Sequence, residues 1–397
     1  MKIKFVVLTS LIGLLVACNS NSKNEVTSYA VSGKACNGCK ENKATLINYG
    51  EDNAPWIQKL RKLNKGENIK FRIVQIGDSH TAGDYFSHQV RTRLQAKLGN
   101  GGIGWIYPGK VNGQSTAQVS YQTGWIISTS RRNNADFPLG GVLATANGKT
   151  TQISPINDTP SNQNITFTIR SNNSKNAFTA TDYRGQDFNV QPKEAKNWTH
   201  LEWKGGLPFS INAQNGDQWE LGHINIENNH RGIVYSAMGI NGSQFSHWDR
   251  WRIDWKNDLT ATQADLIVLA YGTNEAFNDT LDISETKTKW FNTIKQIHSA
   301  LPNAGILVIG APESLRKTTD ICGERPPQLY AVQKMQQLVA QQSHSLYWSW
   351  QDAMGGECSM NIWIAQGLGN KDGVHFTTKG YQAAGDQLAN VLLKLAQ

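Results

Sequence analysis

A three-layer α/β/α fold around a parallel sheet, interrupted by an inserted β-sandwich, is the architecture this sequence predicts. Five apolar runs, 71–76, 233–238, 265–271, 305–310 and 345–350, alternate with stretches of helical period near 81–98, 244–257, 286–300, 328–342 and 378–395. Strands alternating with helices build a parallel sheet covered on both faces. Between the first and second runs the rhythm breaks. From about 104 to 231 the chain is rich in Thr, Ser, Asn, Gly and aromatics, with short alternating bursts at 164–170 and 223–227, the pattern of a sandwich. A length of 397 residues also favours more than one domain.

The chain opens with Lys2 and Lys4 and an apolar run over 5–15, the form of a secretion signal covering residues 1–17 and too short to span a bilayer permanently. Leu15-Val16-Ala17-Cys18 resembles a bacterial lipobox, which makes Cys18 the lipidated first residue of the mature chain. Asn19, where Asp would favour retention at the inner membrane, leans toward the inner face of the outer membrane. Residues 18–45, rich in Asn, Ser and Lys, read as a flexible tether. Cys36 and Cys39 within it lack a second pair or a strand–helix context, so a local disulfide is the better reading than zinc or redox chemistry. Cys322 and Cys358 lie in loop-like segments of a chain bound for an oxidising compartment and are expected to be bonded to each other.

The first part of the α/β domain, 46–103, contains the run 71–76, which ends in Gly77-Asp78-Ser79-His80 and passes at once into a helical stretch. Ser79 therefore sits at the C-terminal tip of a strand, where an open α/β sheet places its chemistry. Gly-Asp-Ser alone is common turn chemistry, but two further runs end the same way. The run 233–238 is followed by Gly239-Ile240-Asn241-Gly242, and 265–271 by Gly272-Thr273-Asn274-Glu275. Near the end of the second α/β part, 232–397, stands Asp372-Gly373-Val374-His375. A serine hydroxyl needs a base, and the base needs a group that fixes its tautomer; His375 and Asp372 can supply both from one loop. A glycine N–H and the Asn274 amide are suitable donors to a tetrahedral oxyanion.

Taken together these blocks resemble the SGNH branch of the GDSL hydrolases, whose Ser, Gly, Asn and His fall here on Ser79, Gly242, Asn274 and His375, with Asp372 completing the triad. Gly242 is preferred to Gly239 because a small polar residue, Ser243, follows it. The resemblance implies a flavodoxin-like sheet, an oxyanion hole of Ser79, Gly242 and Asn274, and no cofactor. Closer still, Phe137-Pro138-Leu139-Gly140-Gly141, Gly310-Ala311-Pro312-Glu313-Ser314 and the blocks above are similar to the periplasmic peptidoglycan O-acetylesterases of Gram-negative bacteria. That resemblance implies a carbohydrate-binding-module-like insert and O-acetylated peptidoglycan as partner, with acetyl groups leaving the C6 hydroxyl of N-acetylmuramic acid. Esters of other polysaccharides or of lipids, or glycan binding without turnover, are the competing readings.

Among the insert tryptophans, Trp105, Trp125, Trp198, Trp203 and Trp219, most are expected in the core and one or two on a sugar face. The ring of His80 is expected to point away from the Ser79 hydroxyl, as neighbours in an extended strand do, and Asp78 to bond backbone amides. Glu275 is left between orienting its loop and being solvated. No other histidine has metal-like spacing. The net charge of +8 is scattered, with no basic stripe, which argues against a nucleic-acid partner and suits an anionic wall or membrane face.

Overall fold

The computed structural model describes residues 26–33, 42–320 and 322–397. Cys18, Cys36 and Cys39, with the signal and lipobox expectations, lie outside them. Five parallel strands form the heart of the molecule in the spatial order Leu346–Ser349, Gly305–Gly310, Leu266–Ala270, Lys70–Gly77, Gly232–Gly239. The first of these five in the chain, Lys70–Gly77, thus lies inside the sheet and the order reverses beside it, the doubly wound arrangement with its crevice at the strand tips.

Side-chain alternation along these strands feeds two cores. Phe71 and Ile73 join one cluster and Val74 and Ile76 the other, as a period of two requires. The first face is covered by helices Pro55–Asn64, Tyr85–Leu98 and Thr378–Leu395, the second by Trp255–Ala261, Ile283–Ala300 and Leu329–Gln342. The last helix buries Ala384, Leu388, Val391, Leu392 and Leu395, the stripe its period predicts.

Two features depart from the expectation. The tether was expected to run flexibly to residue 45. Instead Thr27–Gly33 and Asn42–Asn48 pair antiparallel, and Asn48, Ile47 and Leu46 extend the sheet edge against Leu346, Tyr347 and Trp348. The apolar positions of the inner strand, Leu46 buried among them, outweigh the polar composition around it. Nor is the insert free-standing. Its strand Asn100–Ile106 begins parallel to Gly232–Gly239 and continues antiparallel to Glu220–Glu227, so one layer of the sandwich runs on from the central sheet, thirteen strands in all among the described residues. A second sheet of five strands faces it across a core containing Trp125, Phe167, Trp203 and Trp219. Trp105, Trp125, Trp203 and Trp219 are buried. Trp198 is half-buried, beneath the guanidinium of Arg170 and donating to Asp136.

Candidate active site

Strand register sets the site. Gly77 lies level with Gly239 on one side and Ala270 on the other, so the three loops that follow leave the sheet at one height. Ser79 opens a short helix, Ser79–Ala82, capped by Asp78, whose Oδ1 accepts from the His80 N–H at 3.0 Å. A first-turn N–H has no acceptor within its helix, so the Ser79 amide is open to a ligand. Ser79 Oγ stands 2.9 Å from His375 Nε2, and His375 Nδ1 2.8 Å from Asp372 Oδ2. Nδ1–H donates to the carboxylate, leaving Nε2 to accept the serine proton. Asp372 Oδ1 also accepts the N–H groups of Val374 and His375, 2.9 Å each. Burial pushes Asp372 up, but those N–H groups and the His375 ring hold it below the usual carboxylate range. The histidine and aspartate side chains are 39% and 49% exposed, so the base faces solvent.

The second loop closes as a turn in which the Ser243 N–H returns to the Ile240 carbonyl, 3.0 Å, with Gly242 at φ +69°. That is the position where a glycine is favoured. Gly239 has a different reason: a Cβ there would fall 2.3 Å from the backbone nitrogen of Ala82. It lets the serine helix approach the strand, while Gly242 shapes the loop. In the third loop the Asn274 amide spends one N–H on the Ser243 carbonyl, 2.9 Å, and retains the other.

Glu275 is settled by the structure. It is buried and accepts from the N–H groups of Phe245, 2.6 Å, and Gly272, 3.1 Å, riveting the second loop to the third. Burial pushes Asp78 up to about 8, countered by the His80 N–H and reinforced by the Glu275 charge; burial pushes Glu275 up to about 7. His80 packs as expected, though it stands in a helical turn and not an extended strand. Its Nδ1 meets the Tyr381 hydroxyl at 2.9 Å and its ring lies 5.4 Å from that of His375. Burial brings it down to about 3, so it stays neutral.

The predicted bond between Cys322 and Cys358 is present. It ties the loop around Leu315 to the segment 357–361, and the Leu315 N–H holds the Gly373 carbonyl at 2.7 Å. The disulfide thereby braces the histidine loop from behind. One neighbour was not anticipated from sequence. Arg131, from the turn after strand Ile126–Thr129 of the insert, donates Nε–H to the Gly242 carbonyl at 3.0 Å. Its residue type in a loop carries no signal by itself.

Strand tip, serine at a helix start, and a His–Asp pair brought from a distant loop define a serine hydrolase of the GDSL type. Residues 213–383 match the model of the GDSL-like lipase/acylhydrolase family, and residues 101–210 that of the N-terminal domain of peptidoglycan O-acetylesterases. A solved structure of a peptidoglycan O-acetylesterase is 46% identical, covers 88% of this chain and 99% of its own, and superposes with a TM-score of 0.84. The chain belongs to the peptidoglycan O-acetylesterase family and is an esterase. A GDSL-like lipase from Parabacteroides merdae (18% identity, 41% of this chain and 72% of its own) and an acetyl xylan esterase (14%, 40% and 79%) align with TM-scores of only 0.33 and bear no weight. No curated protein is similar enough to match.

Proposed function

We propose that the protein removes O-acetyl groups from the C6 hydroxyl of N-acetylmuramic acid in peptidoglycan through an acetyl-serine intermediate. The observation that carries this is the unbroken line Ser79–His375–Asp372 in a chain 46% identical to a peptidoglycan O-acetylesterase over nearly all of that structure. His375 takes the proton of Ser79 as its oxygen attacks the acetyl carbonyl, and Asp372 keeps the imidazole in the required tautomer and balances its charge. The N–H groups of Ser79 and Gly242 and the free N–H of Asn274 stabilise the oxyanion. His375 then gives that proton to the departing C6 oxygen of the sugar, leaving acetyl-Ser79. Next it takes a proton from a water that attacks the acetyl carbonyl, returning it to the Ser79 oxygen as acetate leaves. A lipid on Cys18, with the body held in the periplasm on the inner face of the outer membrane, would put the site within reach of the wall.

The test offers the purified body O-acetylated wall, acetylated xylan and nitrophenyl esters of increasing chain length. Acetate release from muramyl residues, with activity falling as the acyl chain lengthens, is the expected result. Preference for long acyl chains, with the wall untouched, would replace this reading with a lipase.

A further inference from the structure

The guanidinium of Arg131 lies so close over Gly242 that a Cβ on that glycine would come within 2.8 Å of its Cζ, Nε and Nη2. Only glycine leaves room for it there. Nε is spent on the Gly242 carbonyl, which fixes the plane of the fork and leaves its Nη groups without a protein acceptor among the described residues. The turn that carries Arg131 is itself pinned, because Arg250 donates to the carbonyls of Ser130 and Arg131 at 3.1 and 2.9 Å. Arg131, Arg132 and Arg250 are all exposed. The nearby carboxylates are engaged elsewhere: Asp249 pairs with Lys289, and Asp136 with Arg170 and the Trp198 indole. Among the described residues no carboxylate pairs with any of these three arginines. A preoriented, unpaired guanidinium on the rim of the oxyanion loop is a carboxylate receptor in want of its carboxylate.

We propose that Arg131 is a specificity residue, holding a carboxylate of the substrate glycan while the acetyl ester of the same sugar lies on Ser79. This rests on the muramyl reading above. The muramyl ring carries its ester at C6 and an acidic lactyl ether at C3, extended in the wall by a stem peptide with carboxylates of its own. A neutral acetylated polysaccharide offers no such anion, so the arginine discriminates between sugars that present identical acetyl groups. The insert thereby contributes selectivity at the catalytic loop itself.

The test compares the wild type with Arg131→Gln and Arg131→Lys on acetylated muramyl fragments. One set bears only the lactyl carboxylate, one bears a stem peptide, and each has a counterpart with its carboxylates converted to carboxamides; an activated acetyl ester serves as a neutral control. Arg131→Gln should lose about 10- to 100-fold in kcat/KM on a carboxylate fragment, chiefly through KM, and far less on its carboxamide. Arg131→Lys should recover part of the loss, and the wild-type preference for carboxylate should weaken with salt. Whichever carboxylate set shows the difference identifies the anion held. Equal losses on carboxylate, carboxamide and neutral ester would overturn the proposal and reduce Arg131 to a prop for the Gly242 carbonyl. Wild type that cleaves the activated ester but no muramyl fragment would overturn the substrate reading and this proposal with it; muramyl turnover without any carboxylate preference would overturn this proposal alone.

Discussion

Ser79 and His375 are 296 positions apart in sequence yet their side chains meet at 2.9 Å, because the loop between helices Ser359–Ala365 and Thr378–Leu395 brings the histidine to the tip of strand Lys70–Gly77. Replacing Asn274 by Ala should lower kcat by about 100- to 1000-fold, the usual effect of losing one oxyanion donor, with KM for a small acetyl ester little changed. An unaltered kcat would place the oxyanion elsewhere. Ser79, Gly242 and Asn274 were legible because each stands just after an apolar run, where strand-tip chemistry is expected, and Asp372 and His375 because they are neighbours in one loop. Glu275 and Arg131 were not legible in their roles. Burial of Glu275 depends on the second loop folding over it, and the contact of Arg131 with Gly242 depends on how the insert docks. Both are tertiary facts that no local pattern encodes.

At the scale of elements, the loop supports carry their own charge. Asp78 and Glu275 have folded pKa values raised above their ordinary 3.8 and 4.5, to about 8 and about 7. The folded state then binds more protons than the unfolded one through that range, so the stability they contribute is fully present below about pH 4 and is lost as pH rises through 7 and 8. Asp78→Asn keeps an oxygen to accept the His80 N–H and cannot ionise. Its stability curve should therefore be flatter than the wild type's between pH 5 and 9, as followed by denaturant midpoints; parallel curves would refute this electrostatic account. Opening the Cys322–Cys358 bond should cost about 2–4 kcal/mol and speed amide exchange over 370–376, since Leu315 holds Gly373 from that loop. The five core strands and most helices were readable from period alone. The helix Pro55–Asn64 was missed, although proline at its start and buried Trp56, Ile57, Leu60 and Leu63 are ordinary helix signals. The edge strands 27–33 and 42–48 were concealed by a polar composition that reads as linker.

Across the whole molecule, the insert and the hydrolase share one hydrogen-bonded sheet and clasp each other around the site. Asn241 donates to the Gly113 carbonyl at 2.6 Å, Asp84 Oδ2 accepts the Ala117 N–H at 2.9 Å, and Arg131 reaches Gly242. Cutting out 107–219 should therefore leave an insoluble or inactive remainder, not an independent esterase, because it removes the sandwich core that covers Ile103, Ile106, Ile224 and Ile226 and frees both catalytic loops. A soluble remainder with full activity on a small acetyl ester would show the clasp to be dispensable. The sandwich was legible as short strands with turns, but its fusion to the central sheet was not, since pairing of 100–106 with strands more than a hundred residues later has no local mark. All of this architecture converges on one atom, the Ser79 hydroxyl. The most direct measurement is rapid-quench mass spectrometry of the protein during turnover of an O-acetylated muramyl substrate, with Ser79→Ala beside it. One acetyl group on the peptide containing Ser79, appearing and decaying with acetate release and absent from the folded variant, is the predicted result. Acetate released at a comparable rate by Ser79→Ala, or an acetyl group carried on another residue, would contradict it.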